Sequence, residues 1–481
     1  MEKNLSLLTD FYELTMMQGF FLSGTSERIS IFDLYCRKNP FGNGYIIAAG
    51  LQQAIDYILN INFSDDDINF LASQNCFTND FLNYLRHFKF TGDIFAVKEG
   101  DLVFPNEPLL VVRAPIIQAQ FLESTLLNII NHQTLIATKA ARIRQAVGND
   151  VIFEFGLRRA QAPDAAIFGT RASIIGGFDA TSNVLAAKLF DIPVSGTHSH
   201  SWIMSFPSEY DAFCEYARQF PDNCILLIDT YNTLKSGILN AIKVFKEMFQ
   251  KGIKPKKFGV RLDSGDFAYL TKEIRKMLDN ENLFDADIVV SNDLDENLIS
   301  ALKLQDAKIN TWGIGTKLIT ADTNPSLGGV YKLAAIENEN GVMQPKIKIS
   351  ENPEKISTPC FKQIFRIYEN KSNKIKADLL GLYDEKFPTD NDLTIFDPNA
   401  PWKKMTFQKN SYAVRKMLTP IILNGKKVYD FPSVSQIKNY CSSQLDTLWD
   451  EYKRIVNPEI MPVDLSNDLL HVKNSLLNEF V

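Results

Sequence analysis

Apolar positions along this chain follow two different rhythms, and the place where one gives way to the other divides it. Residues 5–21 carry Leu7, Leu14, Met17 and Phe21 on one helical stripe, with Thr9 or Asp10 as caps and Gly24 as the stop, which predicts a helix. Tyr12 falls on a face of that helix that the core does not need. Residues 29–36 alternate as a strand does, and 45–59, 65–72 and 80–88 have helical spacing. Between 93 and 113 two or three short β runs are punctuated by Gly100, Pro105 and Pro108, which suits a small antiparallel sheet. A long helical pattern over 119–147 then carries the basic cluster Lys139, Arg142 and Arg144. Residues 1–140 are therefore predicted to form an α+β region.

Beyond this point strand, loop and helix repeat. Apolar runs near 151–155, 192–196, 224–229, 258–262, 287–291 and 309–313 are separated by helical segments such as 164–175, 234–249 and 267–278, an alternation that predicts a parallel sheet. Each run ends in polar groups: Arg158-Arg159, Thr197 to His200, Asp229-Thr230, Arg261 to Asp266, Ser291-Asn292-Asp293, and Gly313 to Thr316. In a (β/α) barrel the C-terminal strand ends converge on one face, whereas an open doubly wound sheet gathers only those near its switch point. Six polar ends, where a regular barrel has eight strands, predict an irregular (β/α) barrel over 141–330. From 331 mixed strands return (331–336, 361–368). Residues 387–401 read as a surface connection and 434–481 as a helical tail.

Composition narrows the class. At 481 residues and 45% hydrophobic the chain can bury a large core. Its net charge of −6 and lack of a long basic block argue against nucleic acid and membrane partners. The six cysteines are scattered without a Cys-x-x-Cys pair and are expected to be reduced packing residues. Without a signal-like segment or an apolar run long enough to span a bilayer, the expected location is the cytoplasm.

Chemistry concentrates between residues 151 and 205 and at the later strand ends. Arg158 and Arg159 just past a buried strand suggest an anionic ligand. Gly313-Ile314-Gly315-Thr316 offers close backbone approach and a hydroxyl, as a phosphate needs, although a tight turn explains the same four residues. In Arg261-Leu262-Asp263-Ser264-Gly265-Asp266, Asp266 or Ser264 serves equally as a helix cap. Asp263 pointing inward would bind ribose hydroxyls or Mg²⁺ through water, and Arg261 would clamp a carboxylate. His198-x-His200 on an extended segment would put both rings on one face, as metal-dependent barrel hydrolases do, but the remaining histidines lie away from the strand ends, so no residues are assigned to a metal site.

The runs Leu8-Thr9-Asp10-Phe11-Tyr12, Thr138 to Arg142, Glu154 to Gln161, Gly176 to Asn183, Gly196 to Trp202, Asp229-Thr230-Tyr231, Arg261 to Asp266 and Gly313 to Thr316 stand in an order that resembles the nicotinate phosphoribosyltransferase family. The resemblance implies a barrel packed with an α+β sandwich domain built from the N- and C-terminal parts, 1–140 and 331–481. It implies an enzyme joining nicotinate and phosphoribosyl pyrophosphate with ATP as co-substrate, needing Mg²⁺, through a transient phosphohistidine, in a homodimer with shared active sites. Carried over by motif, His200 is the phosphorylated histidine and, with Asp263, catalytic. Tyr12, Phe155, Ser182, Thr197 and Arg261 match nicotinate contacts. Lys139, Arg158, Asp293, Gly313, Gly315 and Thr316 match positions around the phosphoribosyl and phosphate groups. Ser182 stands where nicotinamide-using relatives carry Asp, which favours nicotinate over nicotinamide. Asn232 and Cys360 depart from the pattern, where relatives have Asp and Gly. A nicotinamide-specific relative and a non-catalytic binding protein of the same fold are the alternatives.

Overall fold

A computed structural model describes residues 4–398 and 400–479. The chain divides into two compact units, one comprising the segment up to Thr138, Ser326–Pro432 and the segment from Asn439, the other Lys139–Pro325 with Ser433–Lys438.

The first unit is built on a seven-stranded sheet in the order Met343–Pro345, Gly329–Glu337, Ile29–Cys36, Pro108–Pro115, Asp93–Ala96, Thr419–Leu423, Lys426–Lys427, with antiparallel pairing throughout. Ile29–Cys36 pairs on one side with Pro108–Pro115 and on the other with Gly329–Glu337, so the early and late parts of the chain share one sheet. Nearly every residue of Ile29–Cys36 is buried, because the strand is central and covered on both faces. A second sheet, Tyr412–Lys416, Lys362–Glu369, Lys374–Leu382, Val463–Leu465, carries its own core of Phe365, Ile367, Leu379, Phe407 and Tyr412.

The second unit holds six parallel strands curled into a half-barrel, in the order Ala180–Thr181, Val151–Glu154, Thr311–Ile314, Asp287–Asn292, Lys257–Leu262, Asn223–Leu227. Ile225, Leu226, Leu227, Val260, Leu262, Val289 and Val290 are buried along them. Helices close their apolar stripes over the sheet, as Ile238–Gln250 does with Ile238, Ala241, Ile242, Phe245 and Met248. Parallel pairing brings every strand's C-terminal end to one edge, where the polar turns lie. Asp266 caps the helix Phe267–Asn280 through the Tyr269 N–H, 3.1 Å away, so that carboxylate is engaged in local structure.

Several expected elements differ. The run at 192–196 forms no strand: Val194 makes a single parallel bridge to Thr181, and the sixth strand is Ala180–Thr181 instead. Residues 45–59 divide into the strand Ile46–Ile47 and the helix Leu51–Leu59, broken by Gly50 at φ 96°. The first helix is Phe11–Leu22, with Asp10 at its N-cap position. Residues 387–401 contain the strand Leu393–Phe396, paired with Lys404–Phe407, and the supposed helical tail contains the strand Val463–Leu465 between Asp450–Lys453 and Asn467–Glu479. The expected tail also extended to residues 480–481, outside the described residues. Among the described residues no helix is long and apolar enough to cross a membrane.

Candidate active site

At the C-terminal edge of the parallel sheet lies an open cavity of about 350 Å³. The segment that follows Val151–Glu154 contributes Phe155 and Arg158. The loop after Thr181 contributes Ser182, the loop before the helix His200–Met204 contributes Thr197 and His198, and that helix begins with His200. The ends of the strands Lys257–Leu262, Asp287–Asn292 and Thr311–Ile314 bring Arg261, Asp263, Ser291, Asp293, Gly313, Gly315 and Thr316. Of the residues singled out from sequence, Lys139 and Tyr12 are not among its walls.

Phe155 forms one wall because its N–H donates to the Ile314 carbonyl, 2.7 Å away, and because position 313 is glycine. A Cβ at Gly313 would come within 2.7 Å of the Phe155 ring, so the flat face depends on the missing side chain. Arg261 stands 5.8 Å from the ring centroid, within cation–π range. Three neighbours fix its guanidinium. Nε donates to Ser291 Oγ at 2.8 Å, Nη1 to Thr197 Oγ1 at 2.8 Å and Nη2 to Asp263 Oδ1 at 3.2 Å. Ser291 in turn donates to Asp263 Oδ1 at 2.5 Å. Behind them Asp229 Oδ2 accepts the Asp263 N–H at 2.9 Å and the Ser264 hydroxyl at 2.6 Å, which pins the turn.

Beneath Phe155 the buried Glu154 accepts hydroxyls from Thr181 at 2.6 Å and Thr170 at 3.0 Å, together with the Gly156 N–H. Burial pushes its carboxyl upward and these three donors oppose the rise. The network ties the segment carrying Phe155 to the turn carrying Ser182, whose N–H donates to the Glu154 carbonyl at 3.0 Å.

The two histidines separate. His198 is buried against Tyr216, ring centroids 4.6 Å apart. Its Nε2 accepts the Leu227 N–H at 3.3 Å while Nδ1 faces the Ser199 carbonyl at 3.4 Å. Burial, reinforced by nearby Arg261 and His200, lowers its pKa to about 4, so the ring is neutral with both nitrogens occupied. His200 Nδ1 lies 3.1 Å from the Thr230 hydroxyl, and among the described residues no hydrogen bond is made at its Nε2. The expectation that both rings share one face fails because the segment is not a strand. His198 turns into the packing under it and His200 begins a helix.

Lys139 does not line the cavity: its ammonium is 2.8 Å from Glu296 with both side chains almost fully buried, and Arg142 joins the same carboxylate at 2.7 Å. Tyr12 belongs to the first unit, where it is 45% exposed. Burial of part of the ring and the nearby Glu123 raise its hydroxyl to about 12. Arg158 is exposed on the turn Leu157–Arg159 and makes no ion pair among the described residues. Sequence reasoning assigned no role to Ser291 or Asp229. Ser291 was visible only as one of three polar residues ending a strand.

Comparison with known proteins gives three family matches: the nicotinate phosphoribosyltransferase N-terminal domain over residues 7–131, the nicotinate phosphoribosyltransferase family model over 151–375 and the C-terminal domain over 361–473. A nicotinate phosphoribosyltransferase of Bacillus subtilis (strain 168) is 47% identical over 478 residues, covering 99% of this chain and 96% of that one. The Homo sapiens nicotinate phosphoribosyltransferase is 33% identical over 528 residues, covering 98% and 96%. The crystal structure of human nicotinic acid phosphoribosyltransferase superposes with a TM-score of 0.85 at 30% identity, covering 98% of this chain and all of that one.

Proposed function

The chain belongs to the nicotinate phosphoribosyltransferase family and is an enzyme of it, and from that premise we propose that it transfers phosphoribosyl from phosphoribosyl pyrophosphate to nicotinate, coupled to ATP. The supporting observation is the cavity itself, in which an aromatic face, a held guanidinium and a glycine-rich strand end meet at one sheet edge. Phe155 takes the pyridine ring and Arg261 its carboxylate. Gly313, Gly315, Thr316, Arg158 and Asp293 receive the phosphoribosyl and phosphate groups. Asp263 holds the ribose. As pyrophosphate leaves, cationic character develops at the ribose C1 and the pyridine nitrogen bonds there, so fixing the ring in line is the main service the site performs.

Mg²⁺ fits this chemistry. No cluster of three or more potential protein ligands is present among the described residues, but Asp229 Oδ1 is buried without a partner beside Asp263. Mg²⁺ commonly uses one or two carboxylates with substrate phosphates and water. Asp229 and Asp263 would hold it, and when bound it neutralises charge on the phosphates.

For ATP coupling, His200 carries the phosphoryl group. With Nδ1–H donating to Thr230, the Nε2 lone pair attacks the γ-phosphorus and ADP leaves. Water later releases phosphate. His198 is unsuited because its Nε2 already accepts the Leu227 N–H. The enzyme acts as a homodimer in the cytoplasm, with Tyr12 stacking on nicotinate in the partner's site. The exposed Phe11, Tyr12 and Met16 on the first helix support that reading.

The test is to incubate pure protein with phosphoribosyl pyrophosphate and either nicotinate or nicotinamide, with and without ATP, and to identify the mononucleotide. Nicotinate mononucleotide, formed faster with ATP, is the expected product, and the His200→Asn variant should lose the ATP effect. Nicotinamide mononucleotide as the main product, or no product, overturns the reading.

A further inference from the structure

We propose that Ser291 is a positioning residue that prevents Arg261 and Asp263 from closing into a two-point ion pair and so keeps the guanidinium available to the substrate carboxylate. The inference rests on Arg261 as the nicotinate clamp. An arginine side edge, Nε with one Nη, matches the two oxygens of a carboxylate, and such pairs close readily when nothing intervenes. The first unit shows the closed form. Arg366 Nε reaches Asp378 Oδ1 at 2.9 Å and Oδ2 at 3.1 Å, while Nη2 reaches Oδ2 at 2.6 Å.

At the cavity the same edge is split. Ser291 Oγ accepts the Nε–H at 2.8 Å and donates its own O–H to Asp263 Oδ1 at 2.5 Å, leaving one longer contact of 3.2 Å from Nη2 to Asp263. One hydroxyl has the capacity for both bonds, since it donates once and accepts through its lone pairs. Ser291 is 3% exposed, and a Cβ on Gly313 would meet its Cβ at 3.1 Å, so the hydroxyl is confined to this place. Remove it and the Nε–H loses its acceptor. The nearest remedy is rotation of Asp263 until both its oxygens take the edge, which draws Arg261 from Thr197 and neutralises the charge meant for substrate.

The test is a binding cycle on the full-length protein with labelled nicotinate. Ser291→Ala should weaken nicotinate binding about tenfold. In an Asp263→Asn background the same substitution should change binding less than twofold, because the competing carboxylate is gone. An equal loss in both backgrounds would mean a merely structural role and overturn the proposal, as would Ser291→Ala binding within twofold of wild type. Arg261→Ala separates the two layers. Unchanged nicotinate binding in that variant removes the clamp reading and the proposal with it, whereas lost binding there with a silent Ser291→Ala removes the proposal alone. If Ser291→Ala does not fold, Ser291→Cys, with a weak donor and weak acceptor, is read by the same criteria.

Discussion

In each unit an arginine meets an aspartate, and the two pairs have opposite fates. Arg366 and Asp378 are wholly buried, face each other across paired strands and close in two-point contact, with Glu107 beside them. Arg261 stands at a strand end on the cavity wall, its donors shared among three different acceptors. A sealed pair has spent its charge within the fold, while a divided one holds charge in place for an anion that arrives from outside. Burial alone would lower the Arg366 pKa, but Asp378 more than offsets this and it rises. Glu107 is pushed well up, first by burial and then by Asp378.

Breaking the open pair should have the largest effect on activity. Arg261→Ala is expected to lower kcat/KM for nicotinate by about a thousandfold, roughly 4 kcal/mol, with little change in melting temperature. Steady-state kinetics beside thermal unfolding checks both halves. The sealed pair should behave in the reverse sense. Arg366→Met leaves Asp378 buried without its cation and should destabilise the protein by about 3–5 kcal/mol, measured by urea unfolding, and a stability within 1 kcal/mol of wild type would show that the pair is relaxed by solvent.

Ser182→Asp tests the neighbourhood of the open pair. A carboxylate there would repel the nicotinate carboxylate and compete for Arg261, so nicotinate kcat/KM should fall about a hundredfold, close to 2.7 kcal/mol. Unchanged turnover would mean that residue 182 does not face the ring substituent. The smallest effect concerns Glu107. A carboxyl whose folded pKa is raised favours the fold below its unfolded pKa of 4.5 and loses that advantage as pH climbs toward the folded value. Glu107→Gln removes the titration while keeping an amide able to donate to Asp378, so its melting temperature relative to wild type should rise by a few degrees between pH 5 and pH 8. A difference that stays flat with pH would place the charge elsewhere.

Much of this arrangement was legible before any coordinates. Runs such as Cys224–Ile228 and Ile288–Val290 are fully buried in a parallel sheet, so they read as unbroken apolar stretches; the alternation with helices points to that sheet and the polar strand ends to a barrel. Short runs were harder. Residues 192–196 make a single backbone bridge, at Val194, and residues 45–59 merge a two-residue strand with a helix because apolar character continues through Gly50. Partners distant in sequence stayed hidden. Lys139 shows in the sequence only as part of a basic cluster, while Glu296, the carboxylate it pairs with, lies 157 positions on. The turn of His198 toward Leu227 and the bridging place of Ser291 both depend on which strands lie side by side, and no local pattern encodes that.

The central claim is that Arg261, held apart from Asp263, receives the substrate carboxylate against Phe155. A crystal structure of the protein with nicotinate mononucleotide tests it most directly. The expected result is the pyridine ring stacked on Phe155 with its carboxylate about 2.7–2.9 Å from the Arg261 guanidinium and the 5′-phosphate at Gly313 to Thr316. A mononucleotide lying with its carboxylate away from Arg261, or Arg261 closed on Asp263 while the ligand is bound, would contradict it.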